Sequence, residues 1–165
     1  MSEERFTVGV ISDTRGLLRP QALAALKGYD YIIHAGDVGS AEIIGQLAEI
    51  APVTAVRGNV DMEAWARKLR ESNVLDIGGV SLYVLHDLAQ LDLSPAAAGF
   101  ATVISGHSHK PGHELRDGVL YLNPGSAGPR LFKLPVTVAR LHVVGSKLEP
   151  EMFTCRFEQP AGCRR

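Results

Sequence analysis

The sequence is poor in cysteine, in long apolar runs and in excess charge, and each scarcity excludes a class of protein. Only two cysteines occur, both within the last eleven residues, so a disulfide-based scaffold is excluded and a reducing cytoplasm is the expected compartment. No apolar run approaches the roughly 20 residues that a membrane-spanning helix requires. The acidic start MSEERFTVGVISD is unlike a signal peptide.

The charges of the chain nearly cancel. Lys and Arg number 17 and Asp and Glu number 18, which gives a formal net charge of −1. Such a balance provides no general attraction for a nucleic-acid tract or an anionic membrane surface. An anionic substrate would therefore have to be bound by a local site within the fold rather than by the net charge of the chain.

The length of 165 residues fits one domain of ordinary size. We expect a single domain over residues 1–157. The segment 158–165 contains Pro160 and Gly162 and ends in two arginines, a composition typical of a flexible C-terminal tail.

Short β-rich apolar runs recur along the chain, each ending in a small polar loop. The runs predict strands at 6–11, 31–35, 53–56, 74–77, 80–85, 102–105, 113–116, 119–122, 136–143 and 148–156. Helix-forming segments with start and stop signals predict helices at 21–26, 41–50, 63–70 and 94–99. Strands alternate with helices in the first third, and hairpins dominate afterwards. This order predicts a mixed α/β (α+β) domain whose sheets pack face to face with helices outside.

Polar side chains of two kinds, oxygen donors and imidazoles, follow the predicted strands where each strand ends. They are Asp13, Asp37, Asn59, His86, His107 and His109. Ligands gather at the carboxyl ends of strands in α/β sheets, and this donor set suits Mn²⁺, Fe²⁺, Zn²⁺ or Mg²⁺. Each residue alone also has a structural interpretation, such as a turn for Asp13 or a packed histidine for His86. The histidine pair at positions i and i+2 is harder to explain by packing.

Five ordered motifs carry a family resemblance. They are SDTRG (12–16), HAGD (34–37), RGNVD (57–61), SGHSHKP (105–111) and NPGSAGPR (123–130), with His86 between the third and fourth. The sequence resembles the calcineurin-like metallophosphoesterases, and within them the small prokaryotic phosphodiesterases, over about residues 5–145. The resemblance implies a four-layer sandwich in which two mixed β-sheets are flanked by helices.

The resemblance also implies a metal centre. Asp37 would bridge two ions, and Asn59, His86 and His107 would complete one site. Asp13 and His109 would serve the other site. The expected cofactor is one or two divalent ions per chain, with Mn²⁺ favoured and Fe, Zn, Ni or Mg as alternatives.

Arg15 departs from the family pattern. The first family motif is Asp-any-His, and its His is a metal ligand, whereas this chain has Arg15 at that position. A guanidinium group stays protonated and offers no lone pair. We therefore expect the site of Asp13 and His109 to be weakened or empty, with Arg15 binding phosphate oxygens instead.

Two functional interpretations follow. The first is a metal-dependent phosphodiesterase acting on a small phosphodiester, with neither a nucleic-acid tract nor a membrane as partner and with a homo-oligomer left open. Its catalytic residues would be Asp37, Asn59, His107 and Arg15. The alternative is a catalytically impaired scaffold or binding protein on the same fold, as in a family relative of the retromer coat. A flavodoxin-like nucleotide binder is disfavoured because the loop SDTRGL lacks a glycine-rich phosphate cradle.

Overall fold

Two mixed β-sheets form the centre of the molecule in a computed structural model that describes residues 4–131, 133–155 and the backbone of 163–164. The chain enters the first sheet with β1 (Arg5–Ile11), β2 (Tyr31–His34) and β3 (Val53–Ala55). It then builds the second sheet from β4 (Ser72–Ile77), β5 (Val80–Leu85), β6 (Thr102–Ile104), β7 (Gly112–Arg116) and β8 (Val119–Asn123). It returns to the first sheet with β9 (Thr137–Val144), β10 (Lys147–Cys155) and β11 (Cys163–Arg164).

The strand order places the carboxyl ends of the strands, which the predicted site residues follow, on the same side of each sheet. The first sheet runs β11-β10-β9-β1-β2-β3 and the second β4-β5-β6-β8-β7. Strands β1, β2 and β3 are parallel, as are β5, β6 and β8. Because parallel strands end at the same edge of a sheet, the loops that follow them leave from one edge.

Helices are few and short. They are α1 (Pro20–Ala25), α2 (Ala41–Ala48) and α3 (Pro95–Ala98), with 3₁₀ helices at Ala64–Lys68 and Leu88–Gln90. No helix among the described residues is long and apolar enough to cross a bilayer.

Alternating burial along the strands produces the layers. In β1, Val8 and Val10 face the second sheet, where they pack in one cluster with Leu82 and Ile104. The outer face of the first sheet packs on α1 and α2 through a second cluster that includes Ile32. The outer face of the second sheet is covered by a smaller cluster next to α3 and the Leu88–Gln90 helix. The predicted four-layer sandwich with two mixed sheets is confirmed.

Two of the hairpins turn through a glycine-containing pair with left-handed φ. Gly78 and Gly79 join β4 to β5 with φ of 56° and 88°, and Asp117 and Gly118 join β7 to β8 with φ of 49° and 77°. Left-handed φ at both central residues is what a tight hairpin turn requires.

The helix predicted over 63–70 is wrong in type and length. The structure has a 3₁₀ helix at Ala64–Lys68, because the chain must rejoin the sheet at once: Arg70 forms a bridge with Val56. Five residues give room for little more than one turn. Ser40 stands at the N-cap of α2, but its side chain forms no capping hydrogen bond.

The C-terminal prediction falls mostly outside the described residues. Of the expected tail 158–165, the structure describes 163–164, which pair with β10 as an edge strand. Cys155 is disulfide-bonded and lies opposite Cys163 in the strand register. The sequence analysis did not foresee a bond there.

Candidate metal centre

Four of the predicted side chains form a chain of close contacts through Asn59 and His86. The Oδ1 atom of Asn59 lies 3.0 Å from His86 Nε2 and 3.2 Å from His107 Nδ1. His86 Nε2 lies in turn 3.3 Å from Asp37 Oδ2. These residues come from loops after β2, β3, β5 and β6, so the fold brings together side chains that are far apart in the sequence.

The remaining predicted pair adjoins this group. His109 Nε2 lies 3.2 Å from Asp13 Oδ1, and His86 Nε2 lies 3.9 Å from the same oxygen. Ligand atoms of Asp13, Asp37 and His86 all lie within 4.8 Å of one another. His86 therefore stands between the two predicted ligand sets.

Arg15 contacts the carboxylate expected to bridge two ions. Its Nη2 donates to Asp37 Oδ2 across 3.3 Å. This is the same oxygen that faces His86 Nε2, so a fixed positive charge stands beside Asp37 where the family pattern has a neutral imidazole.

The donor atoms fit a divalent cation. His86 Nδ1–H donates to the carbonyl of Ala35 at 2.7 Å, which leaves the lone pair of a neutral His86 on Nε2. That lone pair faces two further acceptors, Asn59 Oδ1 and Asp37 Oδ2. A proton or a cation at this point would satisfy the facing acceptors.

Two buried atoms without a hydrogen bond support the same fit. Asp13 Oδ1 and His109 Nδ1 form no hydrogen bond among the described residues, although Asp13 Oδ1 lies close to the Nε2 atoms of His109 and His86. Asp13 Oδ2, in contrast, accepts from the Ser12 hydroxyl at 2.7 Å and from the backbone N–H of His107 at 3.2 Å. The side chain is thus held by one oxygen, and its other oxygen is directed at the centre.

Electrostatics in the protein alone favour an anionic Asp37 and a protonated His86. Burial would raise the pKa of Asp37, but hydrogen bonds from His86 and the Val60 N–H, with the charge of Arg15, hold that pKa at about 2. Burial would lower the pKa of His86, yet its bonds to Asp37 and Ala35 raise it above the usual value. Burial raises the pKa of Asp13, against its hydrogen bond from Ser12. A cation bound here would replace the His86 proton.

Backbone strain is concentrated at this centre. Apart from Asp117 in a hairpin turn, the non-glycine residues with left-handed φ among the described residues are all site residues. They are Asp13 (56°), Arg15 (47°), Asp37 (54°), His107 (69°) and His109 (62°). Such conformations each cost on the order of 1 kcal/mol and persist where the surrounding structure imposes them. The fold thus bends each loop so that its side chain faces the centre.

Sequence analysis did not assign a role to His34, which is fully buried beneath the centre. Its Nδ1 accepts from the Gly36 N–H at 3.1 Å. Its Nε2 contacts the Thr14 hydroxyl at 2.9 Å, and that hydroxyl donates to the Val38 carbonyl at 2.7 Å. His34 Nε2–H must therefore be the donor to Thr14, so both ring nitrogens are satisfied in the neutral form.

The pH dependence of stability should reveal this neutral histidine. Burial, with repulsion from His86, lowers the pKa of His34 to about 3. An unfolded chain takes up the proton below pH about 6.5, so His34 reduces the free energy of unfolding as the pH falls from 6.5 towards 3. At pH 5 the loss is about 2 kcal/mol.

Urea unfolding at pH 7 and pH 5 measures this effect. His34→Gln keeps a polar group near Thr14 and removes the titration. The decrease in the free energy of unfolding from pH 7 to pH 5 should be smaller in His34→Gln than in wild type by about 2 kcal/mol. An equal drop in both proteins would contradict the assignment of a buried neutral His34.

Asp87 and Asp61 also lie beside the ligands. Asp87, which follows His86, caps the Leu88–Gln90 helix by accepting from Ala89 N–H at 3.0 Å. Its Oδ2 lies 3.8 Å from His107 Nε2. Asp61, in the motif RGNVD, is buried. The sequence signal for Asp87 was its position next to His86, and that for Asp61 was its place in the motif RGNVD.

Two cavities open beside the centre. One of about 470 Å³ is lined by Asn59, His86 and His107, with Arg57 at its edge. A second, of about 390 Å³, shares His107 and Asp87 with it. Neither is lined by Arg15 or Asp37, so the open space lies on the side of Asn59, His86 and His107.

Comparisons with known proteins agree with this geometry. The family model described as "Calcineurin-like phosphoesterase superfamily domain" matches residues 6–146. The chain is 38% identical over 159 residues to a "Probable metallophosphoesterase" of Methanothermobacter thermautotrophicus, covering 88% of this chain and 91% of that protein. It is 27% identical over 147 residues to a protein named a phosphodiesterase of Methanocaldococcus jannaschii, covering 78% and 88%.

A solved structure shows the same fold. Vacuolar Protein Sorting 29 from Cryptosporidium parvum superposes with a TM-score of 0.78 at 21% identity, covering 94% of each chain. At that identity the likeness concerns the fold alone.

Proposed function

Because the chain belongs to the calcineurin-like phosphoesterase superfamily, we propose that it is a metal-dependent phosphodiesterase. One divalent cation, with Mn²⁺ favoured over Fe, Zn, Ni and Mg, is held by four side chains that are linked by contacts through Asn59 and His86. These are Asp37, Asn59, His86 and His107. Asp13 and His109 form the weaker second set.

One observation carries this proposal. Asn59 Oδ1 lies within 3.2 Å of nitrogens from both His86 and His107, although the three residues come from three separate loops. Together with Asp37 they offer a carboxylate, an amide oxygen and two imidazoles, a donor set suited to several divalent ions. The phosphodiesterase named among its relatives supports the choice of reaction.

The chemistry divides between the cation and the chain. A divalent ion held by these residues would supply a Lewis acid and would activate water for attack on phosphorus. Asn59 is a neutral ligand, so it leaves more of the positive charge for the phosphate. Arg15 is 39% exposed and uses one amino group to contact Asp37; its other N–H groups would contact phosphate oxygens from outside the two cavities, which it does not line.

The space beside the ligands favours a diester over a monoester. A cavity of about 470 Å³ is much larger than a phosphate group, and the neighbouring cavity of about 390 Å³ shares His107 and Asp87 with it. A phosphate at the centre would thus have room for an ester arm on either side of His107. A monoester leaves one of these spaces unfilled and brings more negative charge towards the buried Asp13 and Asp37.

Activity on chromogenic esters tests the proposal. With Mn²⁺ added, kcat/KM for bis(p-nitrophenyl) phosphate should exceed that for p-nitrophenyl phosphate by about 10-fold or more, equivalent to ~1.4 kcal/mol of transition-state binding. Removal of the metal with a chelator should abolish both activities, and Mn²⁺ should restore them. Faster hydrolysis of the monoester would contradict the diester assignment.

A second candidate function is a scaffold or binding protein with impaired catalysis. The contact between Arg15 and Asp37 favours it, since a fixed positive charge stands where a second ion would bind. This function predicts Mn²⁺ binding without hydrolysis of either ester. It also predicts a co-purifying partner whose affinity is unchanged by Arg15→His or His107→Ala.

A further inference from the structure

One buried carboxylate beside the centre lies outside both proposed ligand sets. Asp61 is only 3% exposed. Its Oδ2 accepts from the backbone N–H groups of Val38 at 3.1 Å and Gly58 at 2.9 Å, and its Oδ1 accepts from Gly39 N–H at 2.9 Å. Three backbone donors on one carboxylate stabilise its buried charge.

The three amides belong to the two loops that carry central ligands. Val38 and Gly39 directly follow Asp37, and Gly58 directly precedes Asn59. The loops are in contact, because a Cβ atom built on Gly58 would lie 2.1 Å from Asp37 Oδ1. Asp61 therefore fixes the distance between the loop of the proposed bridging carboxylate and the loop of the amide ligand.

Gly39, which donates to the Asp61 carboxylate, also contacts the loop that contains Arg15. A Cβ atom on Gly39 would lie 2.1 Å from the backbone nitrogen of Gly16. The Arg15 and Gly16 N–H groups donate to the carbonyls of Asp37 at 2.8 Å and Val38 at 2.9 Å. The segment held by Asp61 thus supports the backbone from which Arg15 extends.

We propose that Asp61 is a positioning residue that sets metal affinity by clamping the Asp37 and Asn59 loops through their backbone amides. It touches neither ion nor substrate in this role, which rests on the proposed metal-dependent function. The left-handed backbone of Asp37 is the element that this clamp holds in place. Groups that orient metal ligands commonly change affinity by about 10- to 100-fold when replaced.

A carboxylate is required because both of its oxygens accept. In Asp61→Asn, an amide oxygen could keep the bonds from Val38 and Gly58, but the amino group would then face the Gly39 N–H, donor against donor. The substitution preserves size and removes one bond of the clamp. It is therefore a mild structural change aimed at the Asp37 loop.

Calorimetric titration of the metal-free protein with Mn²⁺ tests the proposal. We expect Asp61→Asn to bind Mn²⁺ about 10- to 100-fold more weakly than wild type. Asp76→Asn is the charge-matched control, since Asp76 is an exposed residue of β4 that accepts from Ser81. Ile77→Val is the control for mild destabilisation, since Ile77 is a buried core residue. Both controls should bind Mn²⁺ as wild type does.

Hydrogen exchange on the wild-type protein adds a test that needs no variant. The amides of Val38, Gly39 and Gly58 should be protected even without metal, because Asp61 holds them in the free protein. Wild-type Mn²⁺ affinity in Asp61→Asn, equal weakening in Ile77→Val, or unprotected amides would each overturn the role of Asp61. Absence of Mn²⁺ binding by the wild type would instead overturn the proposed function, and this inference with it.

Discussion

Replacing Arg15 with His is expected to raise Mn²⁺-dependent hydrolysis of bis(p-nitrophenyl) phosphate by about 10-fold or more. In wild type, the guanidinium lies 3.3 Å from Asp37 Oδ2, and it offers no lone pair to a cation. Imidazole would add a neutral donor beside Asp13, Asp37 and His109. Bound Mn²⁺ should rise from one ion per chain to two, measured by elemental analysis alongside the rate.

Arg15→Gln is the matched control for this gain. Glutamine removes the positive charge but supplies no imidazole, so it separates relief of repulsion from the addition of a ligand. We expect it to leave the metal content near one ion per chain and to gain little activity. An equal gain in both variants, or one bound ion and an unchanged rate in Arg15→His, would contradict the account of Arg15.

Replacing His107 with Ala is expected to weaken Mn²⁺ binding by about 100-fold or more. Loss of a group that only orients a metal ligand commonly weakens metal affinity by roughly 10- to 100-fold, and loss of a ligand itself should weaken it further. His107 is exposed and contacts Asn59 Oδ1 and the Asp87 carboxylate rather than the core. The variant should therefore fold normally, and its loss should appear in the binding isotherm and in diesterase activity together.

His113→Ala provides the comparison for that variant. His113 is an exposed histidine of β7 outside both proposed ligand sets, and its removal should leave Mn²⁺ affinity unchanged. Stoichiometric, wild-type binding by His107→Ala would show that the site lies elsewhere. Equal weakening in His113→Ala would show that the effect is not specific to the proposed ligands.

Sequence patterns predict much of this fold because local chemistry and tertiary structure agree there. The run from Phe6 to Ile11 is apolar and becomes a strand that is buried along most of its length. Gly78 and Gly79 supply the left-handed φ that their hairpin needs. The helix expected over 63–70 is wrong because a tertiary demand, the return of Arg70 to the sheet beside Val56, shortens it to a 3₁₀ segment.

The convergence of the site residues follows from topology rather than from any local signal. Placing polar residues after apolar strands predicts that they lie at the carboxyl edges of the sheets, and Asn59 after the first sheet indeed meets His86 and His107 after the second. Residues that position the ligands cannot be predicted in this way, because their roles depend on backbone groups of other loops. Asp61 looks like an ordinary turn residue until the amides of Val38 and Gly39 are seen to point at it.

The central claim is that Asp37, Asn59, His86 and His107 bind one common cation. Anomalous scattering from crystals grown with Mn²⁺ tests this claim most directly. We predict a strong manganese peak bonded to Asp37 Oδ2, Asn59 Oδ1, His86 Nε2 and a ring nitrogen of His107. No peak at these atoms, or a peak bound by other residues while these four stay bonded to one another, would contradict it.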